Sequence, residues 1–480
     1  MRQTILRVYH KVPSPLRSAV ASVRGWQLSS WRYGRDTNRL VAEALERETW
    51  SSSDWQSWQS KRLSQILPRA ASKVPHYRNW WNGKQAPADP NSCLDLANWP
   101  VLKKTVLRET PQRFLADGCD PHRMFCDHTS GTTGTPLTLW QPKSAVREWY
   151  ALAEARWRGW YGLSRSDRWA ILGGQLVVPV RQRKPPFWVW NVGLNQLYLS
   201  AYHLSAETCA FYLDAMRQRK VLYLLGYASS LYSLALFASE RNLLAPSLKV
   251  IISNAEPLFD HQRELISRHF GCPVRDTYGM CEMVCGASEC EAGRLHLWPE
   301  AGIYEVVRDD SDEPVEPGEP GRLVATGLLN PDMPLIRYEV GDRVAIAPAD
   351  EQCACGRTLP ILLSIEGRLD DVVVTPDGRR LGRLGPVFKP DLLVREAQIV
   401  QDLPDLVRVL VVPAPGFGPK HESALVSALR ERLGNMQIQI EKVAEIPRSA
   451  NGKFRAVVSK LSGRQAGSPP QAVNGVQQGR

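Results

Sequence analysis

The sequence predicts an α/β chain in which a large N-terminal domain is followed by a small α+β C-terminal domain. Three observations carry this. The chain has 480 residues, beyond the size at which one hydrophobic core keeps growing, so at least two domains are expected. From about Cys126 to Ile365 strand-like and helix-like segments alternate, as a layered α/β architecture requires. After Asp371 the pattern restarts as a shorter module that ends near Leu461.

The elements follow in order. Residues 1–120 read as a helical preface to the large domain: LVAEALERETW has helical apolar spacing, and Pro75 closes the helical region that begins near Ser53. Residues 121–369 form the core of that domain, with RWAILGG, VLYLLGY, LKVIISN and RLVATGLL as strands between amphipathic stretches. The uncharged run Val221–Ala238 is too interrupted by Ser, Tyr and Gly for a membrane span. It reads as a buried strand, then a helix opening at Ser229 or Ser230, where a hydroxyl can cap free N–H groups. The Asp, Pro, Glu and Gly-rich stretch 309–321 is a surface turn. Residues 370–462 make the small domain, with strands AQIVQDL, VRVLVVPA and MQIQIEKV and the helix ESALVSALRERL. Residues 463–480 are rich in Gly, Ser, Pro and Gln and are expected to be a disordered tail.

Hydrophobic residues make up 43% and charged residues 23% of the chain, a globular composition. The net charge of +11 is uneven, because Met1–Leu40 holds Lys and Arg against the single acid Asp36. That basic, Trp-bearing start suits either a solvated helical face or peripheral contact of residues 1–40 with an anionic membrane surface. No recognisable nucleic-acid motif accompanies it, so nucleic acid is not an expected partner. The first 30 residues lack an apolar secretory core, and the expected location is cytoplasmic. Ten cysteines in such a chain do not read as a disulfide framework.

The sharpest local signal is the loop His128-Thr-Ser-Gly-Thr-Thr-Gly-Thr-Pro136. Its glycines let the backbone approach an anion, and Thr129, Ser130, Thr132 and Thr133 add hydroxyl and N–H donors suited to phosphate oxygens. No Gly-Lys-Ser/Thr follows, so it is not a Walker A loop. Four further motifs come after it in order: Tyr278-Gly-Met-Cys-Glu282, Arg337-Tyr-Glu-Val-Gly-Asp342, Gly367-Arg-Leu-Asp-Asp371 and Pro447-Arg-Ser-Ala-Asn-Gly-Lys453.

This order and spacing resembles the adenylate-forming superfamily of acyl-CoA ligases, over residues from about 125 to 460. Asn254-Ala-Glu-Pro257, Met333-Pro-Leu-Ile-Arg-Tyr338, Cys353-Ala-Cys-Gly-Arg357 and the preface motif Val74-Pro-His-Tyr-Arg78 resemble the phenylacetate-CoA ligase branch and its CapK-like relatives of capsular polysaccharide gene clusters. The resemblance implies a large multi-subdomain adenylate-forming domain and a C-terminal lid. It also implies roles for residues. Thr129, Ser130, Gly131, Thr132, Thr133 and Gly134 would hold ATP phosphates, with Ala255, Glu256, Pro257 and Gly279 also at the nucleotide. Tyr278 would stack on adenine, Asp342 would take both ribose hydroxyls, and Arg368 would sit near ribose or phosphate. Glu282 and Lys453 would be the catalytic residues, Glu282 binding Mg²⁺ or the α-phosphate side and Lys453 reaching the carboxylate and α-phosphate as the mobile cation, with Asp370 as the hinge. Gly174, His203, Tyr227 and Asn254 would line the acyl pocket.

Elementary chemistry agrees with those roles. Attack of a carboxylate on the α-phosphorus brings two anions together and pushes charge onto pyrophosphate, which calls for donors, a metal and a mobile cation. Thr135-Pro136 stands where many relatives have Lys after the loop glycine, removing one positive charge. After Gly367–Asp371 the chain reads Val-Val-Val-Thr-Pro-Asp-Gly-Arg-Arg instead of the Arg-Gly and Asn-containing segment of phenylacetate ligases, which bears on CoA as acceptor.

Cys290, His296, Cys353 and Cys355 offer thiolate and imidazole ligands for a closed structural zinc site. Buried free thiols are the other reading, and Cys281 and Cys285 are rival ligands. The expected activity is therefore ATP- and Mg²⁺-dependent formation of an acyl-adenylate followed by transfer to CoA, an AMP-forming acid–thiol ligase. The alternatives are transfer to a sugar or carrier-protein acceptor in surface polysaccharide biosynthesis, and a non-catalytic scaffold.

Overall fold

A computed structural model describes residues 8–82, 95–128, 137–368, 373–376, 380–381, 392–448 and 454–461. The chain divides into two compact units, Met1–Gly367 with Pro447–Phe454, and Arg368–Ile446 with Arg455–Arg480. The tail expected at 463–480 lies outside the described residues.

In the first unit, β1 (Phe125–His128) and β2 (Thr138–Gln141) form an antiparallel pair. A large sheet follows: β3 (Trp169–Gly173), β4 (Trp188–Asn191), β5 (Gln196–Ser200), β6 (Tyr223–Tyr227), β7 (Val250–Asn254), β8 (Val274–Gly279), β9 (Gly286–Glu289), β10 (Leu295–Leu297), β11 (Gly302–Val307), β12 (Gly321–Gly327), β13 (Tyr338–Ile346) and β14 (Ile361–Arg368). Their spatial order is β11-β12-β13-β14-β10-β9-β8-β7-β6-β3-β5-β4. Strands β5, β3, β6, β7 and β8 are parallel, and the central β3, β6 and β7 are mainly apolar, as strands covered by helices on both faces are. Strand β8 pairs parallel with β7 and antiparallel with β9, so it joins the parallel and antiparallel halves.

The register Gly173↔Ser200, Tyr227↔Asn254 and Ser253↔Asp276 brings the carboxyl ends of the parallel strands to one edge. In open α/β sheets that edge is where ligands bind, since the loops leaving it face the same crevice. The helix following β6 spans Ala228–Glu240, one residue ahead of the expected start. No hydroxyl caps it. Glu256, beyond the end of β7, accepts from the Ser229 N–H at 2.9 Å and takes over that role.

The preface packs within the first unit. Helix Ser52–Lys73 opens with a Ser51/Asp54 capping box, and Pro75 starts the next helix, Pro75–Trp81, where a missing N–H costs nothing. The buried Tyr77 hydroxyl accepts from Ile336 N–H at 3.0 Å and donates to the Pro334 carbonyl at 3.3 Å. Arg337 donates to the Trp99 carbonyl at 3.1 Å, and Leu102 and Glu339 exchange backbone bonds with the same segment. The Val74–Arg78 and Met333–Tyr338 motifs therefore meet, and the chain beyond Leu102 enters helix Lys104–Glu109 against β13.

The second unit holds a short antiparallel pair, β15 (Val373–Val374) and β16 (Arg380–Leu381), and a four-stranded sheet in the order β19-β18-β17-β20, with β17 at Val394–Leu403, β18 at Leu406–Pro413, β19 at Gln437–Lys442 and β20 at Val457–Ser459. Helix Pro419–Leu433 places Leu425, Leu429 and Leu433 against it at helical spacing, burying them with Val407, Val409 and Val411.

Candidate active site

At the carboxyl edge of the parallel strands, the Tyr202 hydroxyl donates to the Gly174 carbonyl at 3.0 Å. Tyr227 ends β6, its hydroxyl pushed up to about 12 by burial, with Glu256 and Tyr202 adding to the rise. Asn254 ends β7, and its buried Oδ1 has no hydrogen-bond partner among the described residues. Such an acceptor is costly unless a ligand donor reaches it. His203 differs from these. Its Nδ1 faces the Ser200 hydroxyl at 2.8 Å, its Nε2 faces the Pro179 carbonyl at 3.0 Å, and its ring stacks on Phe187. Both ring nitrogens are engaged inside the protein, and burial lowers its proton affinity.

Ala255 has φ +63°, a left-handed conformation unusual for a side chain with a Cβ. That turn directs the next residue, Glu256, inward, where burial raises its proton affinity while Ser229 and Phe454 N–H groups donate to it. Pro257 and Gly279 are exposed at the same edge.

Glu282 and Asp342 are held by reciprocal bonds between two segments. Tyr278, on β8, donates to Asp342 Oδ2 at 2.6 Å; Tyr338, on β13, donates to Glu282 Oε1 at 2.9 Å. Burial and the facing carboxylate push both phenols upward. Lys104 Nζ stands 2.9 Å from the same Glu282 oxygen, whose side chain is only 3% exposed. The turn bearing Glu282 is pinned beneath by Gly302, where a Cβ would fall 2.2 Å from the Val284 carbonyl oxygen.

Gln141, ending β2, donates to the Cys281 carbonyl at 2.7 Å, so the β1–β2 pair that flanks residues 129–136 is fastened beside Glu282. Thr129–Gly134, Asp370 and Lys453 themselves lie outside the described residues, and Arg368 is described only as backbone ending β14.

A second cluster lies apart from that edge. The ligand atoms of Cys290, His296, Cys353 and Cys355 all fall within 4.8 Å of one another, with Cys290 and Cys353 sulfurs 3.7 Å apart and Cys355 Sγ 3.3 Å from His296 Nε2. His296 Nδ1 faces the Leu359 carbonyl at 3.0 Å. A carbonyl only accepts, so Nδ1 carries the proton and the Nε2 lone pair points into the cluster, as a metal-ligating imidazole requires. The donor set fits zinc. The rivals Cys281 and Cys285 are not in this group.

Residues 373–460 match the family described as the CapK C-terminal domain. The chain is 26% identical to Protein CapK of Staphylococcus aureus over 95% of its length and 99% of that protein. It is also 26% identical to the phenylacetate-coenzyme A ligase of Thermus thermophilus, over 68% of this chain and 74% of that one. CapK and the phenylacetate-coenzyme A ligases are its homologues. Among solved structures, 2-hydroxyisobutyryl-CoA ligase in the postadenylation state matches with a TM-score of 0.65 and 21% identity, over 87% of this chain and 92% of that chain. The shared fold is that of adenylate-forming CoA ligases with a C-terminal subdomain.

Two residues at this site, Lys104 and Tyr338, are not among those that the sequence marks as functional. Tyr338 stands inside a motif already singled out; Lys104 follows Lys103 in an unremarkable stretch, and nothing local marks it.

Asp276, on β8, is half-buried, and its carboxyl is pushed up to about 7 by burial and by the Glu289 charge. An acid with a folded value above its unfolded one stabilises the fold while protonated. That contribution is complete below about pH 4 and lost as pH rises through about 7. In urea unfolding, Asp276→Asn is expected to be more stable than wild type by up to about 4 kcal/mol near pH 8, the difference closing near pH 4. A constant difference across that range would refute the assignment.

Proposed function

We propose that this protein activates a carboxylic acid as an acyl-adenylate at the expense of ATP, and then transfers the acyl group to CoA. The reciprocal Tyr278–Asp342 and Tyr338–Glu282 bonds support this most directly. They hold fixed two carboxylates that would serve ribose and metal, Glu282 being next to Cys281, whose carbonyl anchors the β1–β2 pair.

The roles follow from chemistry. Asp342 accepts two hydroxyl donors at once, which suits a ribose. Tyr278, fixed by that aspartate, offers an aromatic face to adenine. Glu282 is the carboxylate that would hold Mg²⁺, which when bound offsets phosphate charge. Thr129–Gly134 would cradle phosphates, Arg368 would add a cation, and Lys453 would meet the developing charge at the α-phosphorus, with Asp370 as pivot of the small domain. Gly174, Tyr227 and the unpaired Asn254 acceptor bear on the acid. Cys290, His296, Cys353 and Cys355 would hold a structural zinc, whose closed ligand set leaves no position for substrate.

The test is pyrophosphate release from ATP and Mg²⁺ across a broad panel of carboxylic acids, with and without CoA. Release stimulated by one class of acid is expected, lowered at least about 100-fold in Lys453→Ala. Nucleotide binding without release for any acid would count against adenylation. A second reading has its own support. The CapK match spans nearly the whole chain and includes the small domain, whereas the phenylacetate ligase match covers 68% of it. With the segment after Asp371, which departs from that of the phenylacetate ligases, the second reading is an acyl acceptor other than CoA, such as a sugar or carrier protein in surface polysaccharide assembly. Acid-dependent release with no CoA thioester formed would select it.

A further inference from the structure

Helix Ser14–Arg32 is mounted with its polar side inward. Its buried residues are Arg17, Ser22 and Gly25. Ser22 Oγ accepts from Val192 N–H at 3.0 Å, Ser18 Oγ accepts from Trp190 N–H at 3.2 Å, and Arg17 donates to Gln182 at 2.9 Å. Gly25 meets the Asn191 side chain so closely that a Cβ would overlap it. The opposite side carries Leu16, Val20, Val23 and Trp26, exposed by 56%, 49%, 63% and 58%. They recur at helical spacing and make one outward apolar stripe. Surface helices of globular proteins ordinarily turn such a stripe toward the core.

Both the helix and the strand segment beneath it are cationic. The helix and its approach, residues 8–35, contain no Asp or Glu, and neither does 168–206, the segment it packs on. Tyr9 donates to the Val177 carbonyl and His10 faces that of Leu176, which, with the Arg17–Gln182 bond, sets loop 175–184 beside the start of the helix. That loop exposes Val180 with Arg181, Arg183 and Lys184, and Lys11 and Arg24 are exposed on the helix side.

The geometry points to this face as a docking surface for an anionic lipid membrane. An exposed apolar stripe with Trp, flanked by Lys and Arg and free of acids, suits a helix lying in the interfacial plane, with side chains among acyl chains and cations against headgroups. A second copy of this chain is the poorer occupant, because pairing would press two cationic faces together.

Flotation of the full chain with phosphatidylcholine vesicles, alone or mixed with phosphatidylglycerol, tests this. Wild type is expected to bind the mixed vesicles and leave the neutral ones, and to be released by salt. Arg181→Gln/Arg183→Gln/Lys184→Gln is expected to lower partitioning by about 100-fold, at roughly fivefold per cation. Leu16→Ser/Val23→Ser/Trp26→Ser is expected to lower it at least about tenfold. Both variants should keep the wild-type thermal midpoint, because every changed side chain is exposed, and the apolar variant should also keep adenylation activity, since its three residues lie on the helix and not on a strand-end loop. Equal binding to neutral vesicles, no binding, or retention by the cation variant would overturn the proposal. So would concentration-dependent dimerisation, or capture of an acidic protein, abolished by the apolar variant while vesicle binding persists.

Discussion

Glu282→Gln is expected to lower kcat/KM for acid-dependent pyrophosphate release by about 100- to 1000-fold. Glutamine keeps the shape and an acceptor oxygen for the Tyr338 hydroxyl, which lies 2.9 Å from Glu282 Oε1. What it removes is the charge that would hold a metal ion and that faces Lys104 at 2.9 Å. Folding should suffer little, since the Lys104 side chain is 31% exposed and its ammonium can turn to water. Lys104→Met separates two accounts of this carboxylate. If Glu282 serves Mg²⁺, removing Lys104 leaves the ligand in place, and the loss is expected to be about tenfold, with the KM for ATP carrying most of it. If Glu282 serves only to hold Lys104 at a phosphate, both single variants and the double variant lose activity equally. Steady-state kinetics on the three variants, with Mg²⁺ titrated, decides it. An unchanged Mg²⁺ dependence in Glu282→Gln would remove the metal role.

The reach of the sequence follows the range of the interactions involved. Motifs such as Tyr278–Glu282 and Arg337–Asp342 are legible because their residues are close in the chain and their types fit the chemistry. Alternating strands and helices were legible for the same local reason, and so was the strand–helix reading of Val221–Ala238. The crossed Tyr278–Asp342 and Tyr338–Glu282 bonds were not, because they are side-chain contacts between β8 with its following turn and β13, segments far apart in sequence and not neighbours in the sheet. Lys104 is the clearest case: its place at Glu282 depends on Tyr77 and Arg337 fixing the preface to the Met333–Tyr338 segment. The N-terminal helix shows the same limit in another form. Its apolar stripe is visible in the sequence, but which side faces the protein is decided by the close approach of Asn191 to Gly25 and of Gly193 to Trp26.

Purified protein is expected to contain about one zinc ion per chain, and its removal should lower the unfolding midpoint by on the order of 10 °C. The reasoning starts from what the four ligands join. Cys290 follows β9, His296 lies in β10, and Cys353 and Cys355 come from the loop before β14, so a metal would tie that loop to the hairpin. The loop is also held by Arg357, which donates to Glu48 at 3.0 Å, while Glu48 accepts from the Trp160 indole and from the buried Arg156, itself bidentate to Glu300. Releasing the loop therefore loosens a buried ionic network, and unpaired buried charge is costly. Cys353→Ser should lose the metal and reproduce the lowered midpoint, whereas Cys285→Ser, at a buried cysteine outside the cluster, should keep the metal. Cobalt substitution supplies a readout independent of activity: tetrahedral coordination by thiolates gives intense visible bands, absent from Cys353→Ser. Metal-free protein with the same midpoint before and after exposure to zinc would show the four residues to be packed thiols and an imidazole, and the stability of the loop would then rest on the Arg357–Glu48 network alone.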